Sequence, residues 1–157
     1  KKVIPVAEAC GVRMAIHPDD PPYPIFGLPR ITHDQAGFDR MVKLHDSPCN
    51  TLCLCTGSLG SNVHNDIPAM IRAFRGNLAT VHLNDNYGRI APVYEDLHLF
   101  PGSGRIEWTP IFEALREIGF RGPLNIEPIA ELKRMPNEIR RIQLRAAADT
   151  LRALTQL

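Results

Sequence analysis

The stretch TLCLC, residues 51–55, sets two leucines on one side of an extended segment and two cysteines on the other, because successive side chains of a strand point to opposite faces. The same division runs through three other short segments. In RMAIH (13–17) Met14 and Ile16 oppose Ala15 and His17. In LATVHL (78–83) Val81 and Leu83 oppose Thr80 and His82, and in PLNIE (123–127) Leu124 and Ile126 oppose Asn125 and Glu127. One parity is large and aliphatic, suited to packing under helices; the other is small or polar. An open parallel sheet with helices on both faces asks for apolar residues on both parities. A closed barrel with a polar site at its mouth accepts the second set. The fold class expected is therefore α/β, of the (β/α)8 TIM-barrel type.

The segments between these strands fit that reading. Amphipathic helices are expected at about 34–46, 66–75, 109–118 and 137–154, the last with Ile139, Ile142, Ala146, Leu151 and Leu154 as its apolar stripe. Gly76-Asn77 and Gly119 stop the second and third. A Pro-rich loop (18–32), a Gly/Ser loop (56–62) and a long connection (84–108) follow the first three strands. Alternation of strand and helix gives right-handed βαβ units and a parallel sheet. No G-x-G-x-x-G follows a strand, which disfavours a dinucleotide-binding sheet. Four strands do not close a barrel. The chain also starts at Lys1, in what resembles the end of a helix (3–10). Residues 1–157 are thus expected to be a single C-terminal half of a TIM-barrel catalytic domain, four βα units with the N-terminal half missing.

Composition removes several function classes. The 157 residues carry 18 basic and 17 acidic side chains, a net charge of +1, so no electrostatic footprint for nucleic acid is present. No apolar run reaches the ~18 residues of a membrane span, and no signal peptide is evident. The four cysteines, Cys10, Cys49, Cys53 and Cys55, match neither a disulfide scaffold nor a paired C-x-x-C zinc site. A reducing, cytoplasmic setting is expected.

The polar parity ends in His17, Cys55, His82 and Glu127, each at or near the C-terminal end of its strand, where barrel enzymes place their active sites. Imidazole, thiolate and carboxylate are all metal ligands, and this mixed set suits manganese, iron or zinc better than magnesium or calcium. Neighbouring strands lie ~5 Å apart, so side chains from successive strand ends can converge on one ion. Taken singly, each has a plainer reading: a satisfied core histidine, a small buried cysteine, or a buried acid paired with an arginine such as Arg13.

Longer motifs then bring a resemblance. MAIHPDDPPYPIFGLPRI (14–31) and DSPCNTLCLCTGSLGSN (46–62), followed by VHL (81–83), resemble the signatures of the mannonate dehydratase family. The segment HLFPGSGRIEWTPIFEALREIGFRGPLNIEP (98–128) is similar instead to the wider xylose isomerase-like superfamily of sugar isomerases and epimerases. The resemblance implies a metal site of His17, Cys55 and His82 holding Mn2+ or Fe2+. Glu127 joins them only through the wider superfamily, since mannonate dehydratases are expected to supply an Asp followed by His at that place.

What the family implies for activity is the dehydration of D-mannonate to 2-keto-3-deoxy-D-gluconate, with a small sugar acid as partner and neither nucleic acid nor membrane. Asp19, Asp20 and His98 are the expected catalytic residues. Arg30, Asp85, Arg89 and Tyr94 are the expected substrate contacts, the arginines for a two-pronged grip on carboxylate. Aspartates in a Pro-rich loop also serve as turn formers, and loop arginines are commonly solvated. Gly57 and Gly60 fit either close backbone approach to a substrate or a simple turn. Arg140, Arg141, Arg145 and Arg152 are most simply a solvated helix face. Two rival readings stand beside the lyase: an isomerase or epimerase using the same metal, and a non-catalytic half-barrel that assembles as a homo-oligomer to cover its sheet edges.

Overall fold

The computed structural model describes residues 2–88, 98–127 and 135–156. Four strands, β1 (Met14–Ile16), β2 (Asn50–Cys55), β3 (Leu78–Leu83) and β4 (Leu124–Ile126), form one parallel sheet in the order β1-β2-β3-β4. Helices alternate with them: α1 (Val3–Ala9), α2 (Gln35–Lys43), α3 (Thr56–Gly60), α4 (Ile67–Ala73), α5 (Trp108–Glu117) and α6 (Asn137–Gln156). This is a partial barrel of the (β/α)8 type. None of the described helices is long and apolar enough to cross a membrane.

The helix starts follow from local chemistry. Asp34 caps α2 by accepting from Gly37 N (2.7 Å), and Asp66 caps α4 by accepting from Ala69 N (2.9 Å), each worth about 1 kcal/mol. Gly119 (φ 64°) follows the end of α5 in the left-handed region that glycine tolerates.

The aliphatic parity forms the core. Leu52, Leu54, Val81 and Leu83 pack with Phe38, Met70, Ile71, Ile111, Phe112 and Leu115 of the covering helices. Full burial of such a side chain contributes about 1.5–3 kcal/mol. Three expected apolar positions depart from this. Met14, on the edge strand, is 42% exposed, and Ile139 and Ile142 of α6 are 47% and 68% exposed, while Leu151 is buried. Ala146 is exposed as well, so the described part of the expected stripe of α6 meets the core at Leu151; the Leu154 side chain lies outside the described residues.

The Gly/Ser segment after β2 is a helix where a loop was expected. α3 begins directly after Cys55 and is buried throughout. Glycine permits this: a Cβ on Gly57 would lie 2.6 Å from Asn84 Oδ1, so only a bare backbone fits against the end of β3. The opposite parity of the sheet differs between its edge strands, β1 and β4, and β2. Ala15 and Asn125 are exposed, whereas Cys53 and Cys55 of the central strand are buried.

Candidate metal centre

Register decides which polar side chains meet. Cys55 pairs with His82, and His82 with Asn125. Glu127 N donates to the Leu83 carbonyl (3.2 Å), which carries the ladder one step past β4 and sets Glu127 two residues beyond Asn125 on the same face. His17 leaves β1 directly after Ile16, and its ring centroid lies 5.4 Å from that of His82.

The outcome is a cluster. His17, Cys55, His82 and Glu127 each offer one ligand atom, and these atoms all lie within 4.8 Å of one another. Two ligand atoms on one ion, each roughly 2.0–2.3 Å from it, stand at most about 4.6 Å apart. The four side chains are therefore gathered at nearly the spacing of a single coordination shell, and their N, S and O donors fit a divalent transition metal.

The surroundings orient the donors. His17 Nδ1 lies 2.8 Å from the Pro18 carbonyl oxygen. A carbonyl only accepts, so Nδ1 carries the hydrogen and Nε2 keeps its lone pair for a metal. His82 Nδ1 and Glu127 Oε2 are 2.9 Å apart, so the partner of Glu127 is this histidine and not Arg13. Burial pushes the Cys55 thiol up to about 11, with hydrogen bonds to Ser58 and Asn84 opposing the rise and the nearby Glu127 charge adding to it. Burial likewise pushes Cys53 up to about 12. Ligation by Cys55 therefore requires displacement of a firmly held proton, which a directly bound cation achieves.

The other expected site residues are placed as follows. His98, in the left-handed backbone region (φ 39°), has Nε2 3.9 Å from Glu127 Oε2, and its side chain is 12% exposed. Asp20 reaches the cluster indirectly, accepting from Ser58 Oγ (3.0 Å), which also lies 3.2 Å from Cys55 Sγ. Arg30 donates to the Asp20 carbonyl (3.2 Å) and sits 3.9 Å from Asp19. Asp19 accepts from Ile31 N (2.6 Å) and Thr32 N (2.7 Å). Partial burial pushes its carboxyl up, but these two N–H groups and Arg30 outweigh that and hold it below the usual carboxylate range.

Asp85 is fully buried. Its carboxylate accepts from Asn86 N, Gly102 N, Ile106 N and Trp108 Nε1 at 2.8–3.1 Å. The structure thus sets Asp85 inside the loop it closes and away from solvent. Arg89 and Tyr94 lie outside the described residues.

Three polar residues were missed by the sequence reading. Thr56, Ser58 and Asn84 are buried around Cys55. Asn84 Oδ1 accepts from Gly57 N (2.7 Å) and faces Cys55 Sγ (3.3 Å), and Thr56 Oγ1 donates to the Asn84 carbonyl (2.7 Å). The signal available was the run of small polar residues directly after a strand-end cysteine, which also fits an ordinary turn.

Comparison with known proteins shows the family. The model of the family described as D-mannonate dehydratase (UxuA) matches residues 1–142. A mannonate dehydratase of Lachnoclostridium phytofermentans is 48% identical over 120 residues, which cover 74% of this chain and 33% of that protein. The crystal structure of mannonate dehydratase from Streptococcus suis serotype2 superposes with a TM-score of 0.67 at 36% identity, covering 78% of this chain and 35% of that one. A xylose isomerase domain protein from Alicyclobacillus acidocaldarius gives a TM-score of 0.75 at 18% identity over 99% of this chain and 56% of that one, a likeness of fold alone. The chain spans about a third of the length of the curated relatives it matches.

Proposed function

The chain belongs to the D-mannonate dehydratase family, and from that premise we propose that it is the metal-binding, C-terminal half of a barrel enzyme that removes water from D-mannonate to give 2-keto-3-deoxy-D-gluconate. The observation that carries this reading is the gathering of His17, Cys55, His82 and Glu127 within 4.8 Å at the C-terminal strand ends. These four would hold Mn2+ or Fe2+. When bound, such an ion supplies a Lewis acid for substrate oxygens.

The remaining work falls to side chains around the cluster. Dehydration requires removal of the proton beside the carboxylate and departure of a neighbouring hydroxyl as water, so one group accepts a proton and another delivers one. His98, beside Glu127, and Asp20, behind Ser58, are the groups we assign to these transfers. Arg30 holds the Asp20 carbonyl and the Asp19 carboxylate of the turn and retains further N–H donors for the substrate carboxylate. Asp19 serves this arrangement by fixing the loop. The four free cysteines suit a reducing compartment, and we place the reaction in the cytoplasm, with a small sugar acid as substrate and a homo-oligomer as the assembly.

A second reading is favoured by Glu127, which stands where an Asp-His pair is expected in mannonate dehydratases. A carboxylate ending the last strand fits a sugar isomerase or epimerase that moves a proton on a neutral ketose. The discriminating experiment supplies the Mn2+-loaded protein with D-mannonate or a neutral ketose and follows keto-acid formation or epimerisation. The dehydratase reading expects keto acid from D-mannonate and a loss of about 100-fold in Arg30→Ala, the scale of one removed charge-assisted grip. Turnover of the ketose with D-mannonate untouched would contradict it.

A further inference from the structure

Ser58 sits between the candidate centre and the Pro-rich loop. Its side chain is buried, at 2% exposure, with Oγ 3.2 Å from Cys55 Sγ and 3.0 Å from Asp20 Oδ2. Its position is fixed from both sides. Ser61 Oγ donates to the Ser58 carbonyl (2.7 Å), and Gly57 N donates to Asn84 Oδ1 (2.7 Å). A serine hydroxyl carries one hydrogen. An ionised carboxylate and a metal-bound thiolate both only accept, so Asp20 and Cys55 compete for it.

We propose that Ser58 is a positioning residue for the Cys55 ligand, its single hydroxyl hydrogen shared between the sulfur and the Asp20 carboxylate. The inference rests on reading the cluster as a metal centre. Groups that hydrogen-bond a ligand fix its orientation and tune the metal, and their loss costs about 10–100-fold in affinity. The geometry also gives the two partners opposite effects. Removing the hydroxyl leaves the sulfur with the Ser58 backbone N–H but without its side-chain donor, and raises the energy of its lone pairs. Removing the Asp20 carboxylate leaves the hydroxyl to the sulfur alone and lowers that energy.

The test is titration of the protein with Co2+, following the thiolate-to-cobalt charge-transfer band, with Cys55→Ser as the control that abolishes it. Ser58→Ala is expected to move the band to lower energy and to weaken Co2+ binding by about 10–100-fold. Asp20→Ala is expected to move the band to higher energy. A merely structural serine does not produce shifts of opposite sign. An unchanged band and affinity in Ser58→Ala, or shifts of the same sign in both variants, would overturn the inference while leaving the centre standing. Should Ser58→Ala not fold, Asp20→Ala decides alone: a shift to higher energy supports the inference and an unmoved band overturns it. Absence of a thiolate band in the unsubstituted protein would overturn the metal reading and this inference with it.

Discussion

The loops after β1 and β3 are each pinned by an aspartate just past a histidine of the cluster, and they are pinned to different depths. Asp19 takes two backbone N–H groups, Ile31 and Thr32, with Arg30 nearby, and its side chain is 25% exposed. Asp85 takes four donors, two on each oxygen, reaching as far along the chain as Trp108, and is 0% exposed. The first loop is held at the surface, where water can replace a lost acceptor. The described part of the second, residues 84–88 and 98–107, is folded around its aspartate, and the carboxylate is closed to water. Identical side chains in similar sequence positions thus do different amounts of structural work, set by how many donors converge and how dry the place is.

The largest effect expected from this contrast belongs to Asp85→Ala. It leaves several buried N–H groups without an acceptor and should lower the unfolding free energy by about 3–5 kcal/mol, read as a fall in the urea midpoint. Asp19→Ala should cost less, about 1–2 kcal/mol, because it frees two N–H groups in place of four and one of them, on the exposed Ile31, can turn to solvent. Equal costs, or the reverse order, would break the comparison.

The smallest effect is its pH dependence. The folded Asp19 carboxyl sits below its unfolded value of about 3.9, so its contribution is fully present above that pH and is lost as the pH falls through the lower folded value. The stability gap between the unsubstituted protein and Asp19→Ala should therefore stay constant near neutrality and narrow on acidification. A gap that widens in acid would show that Asp19 is not held as an ion-paired, hydrogen-bonded carboxylate.

The fold was legible where a period of two met residue type. Leu52, Leu54, Val81 and Leu83 entered the core, and the opposite parity delivered His17, Cys55, His82 and Glu127 to one place, because parity and strand-end position are both written locally. What was not legible depends on long-range closure. Asp19, Asp20 and Asp85 are alike in sequence, yet only the folded loops show that two of them staple backbone and that Asp20 reaches the cluster through Ser58. The exposure of Ile139 and Ile142 was hidden for a similar reason: the periodicity of α6 is helical throughout, but only tertiary packing decides which part of it meets the core, here Leu151. Helix α3 was masked by composition, since Thr56–Gly60 is rich in the glycine and serine that ordinarily mark a turn.

The central claim, that four strand ends build one metal centre, is tested most directly by calorimetric titration of the protein with Mn2+ beside Cys55→Ala. The account predicts one ion per chain, with release of the Cys55 thiol proton on binding, and at least a roughly 100-fold weaker affinity once the sulfur is removed. Binding of equal strength in both proteins, or none to the folded unsubstituted chain, would contradict it.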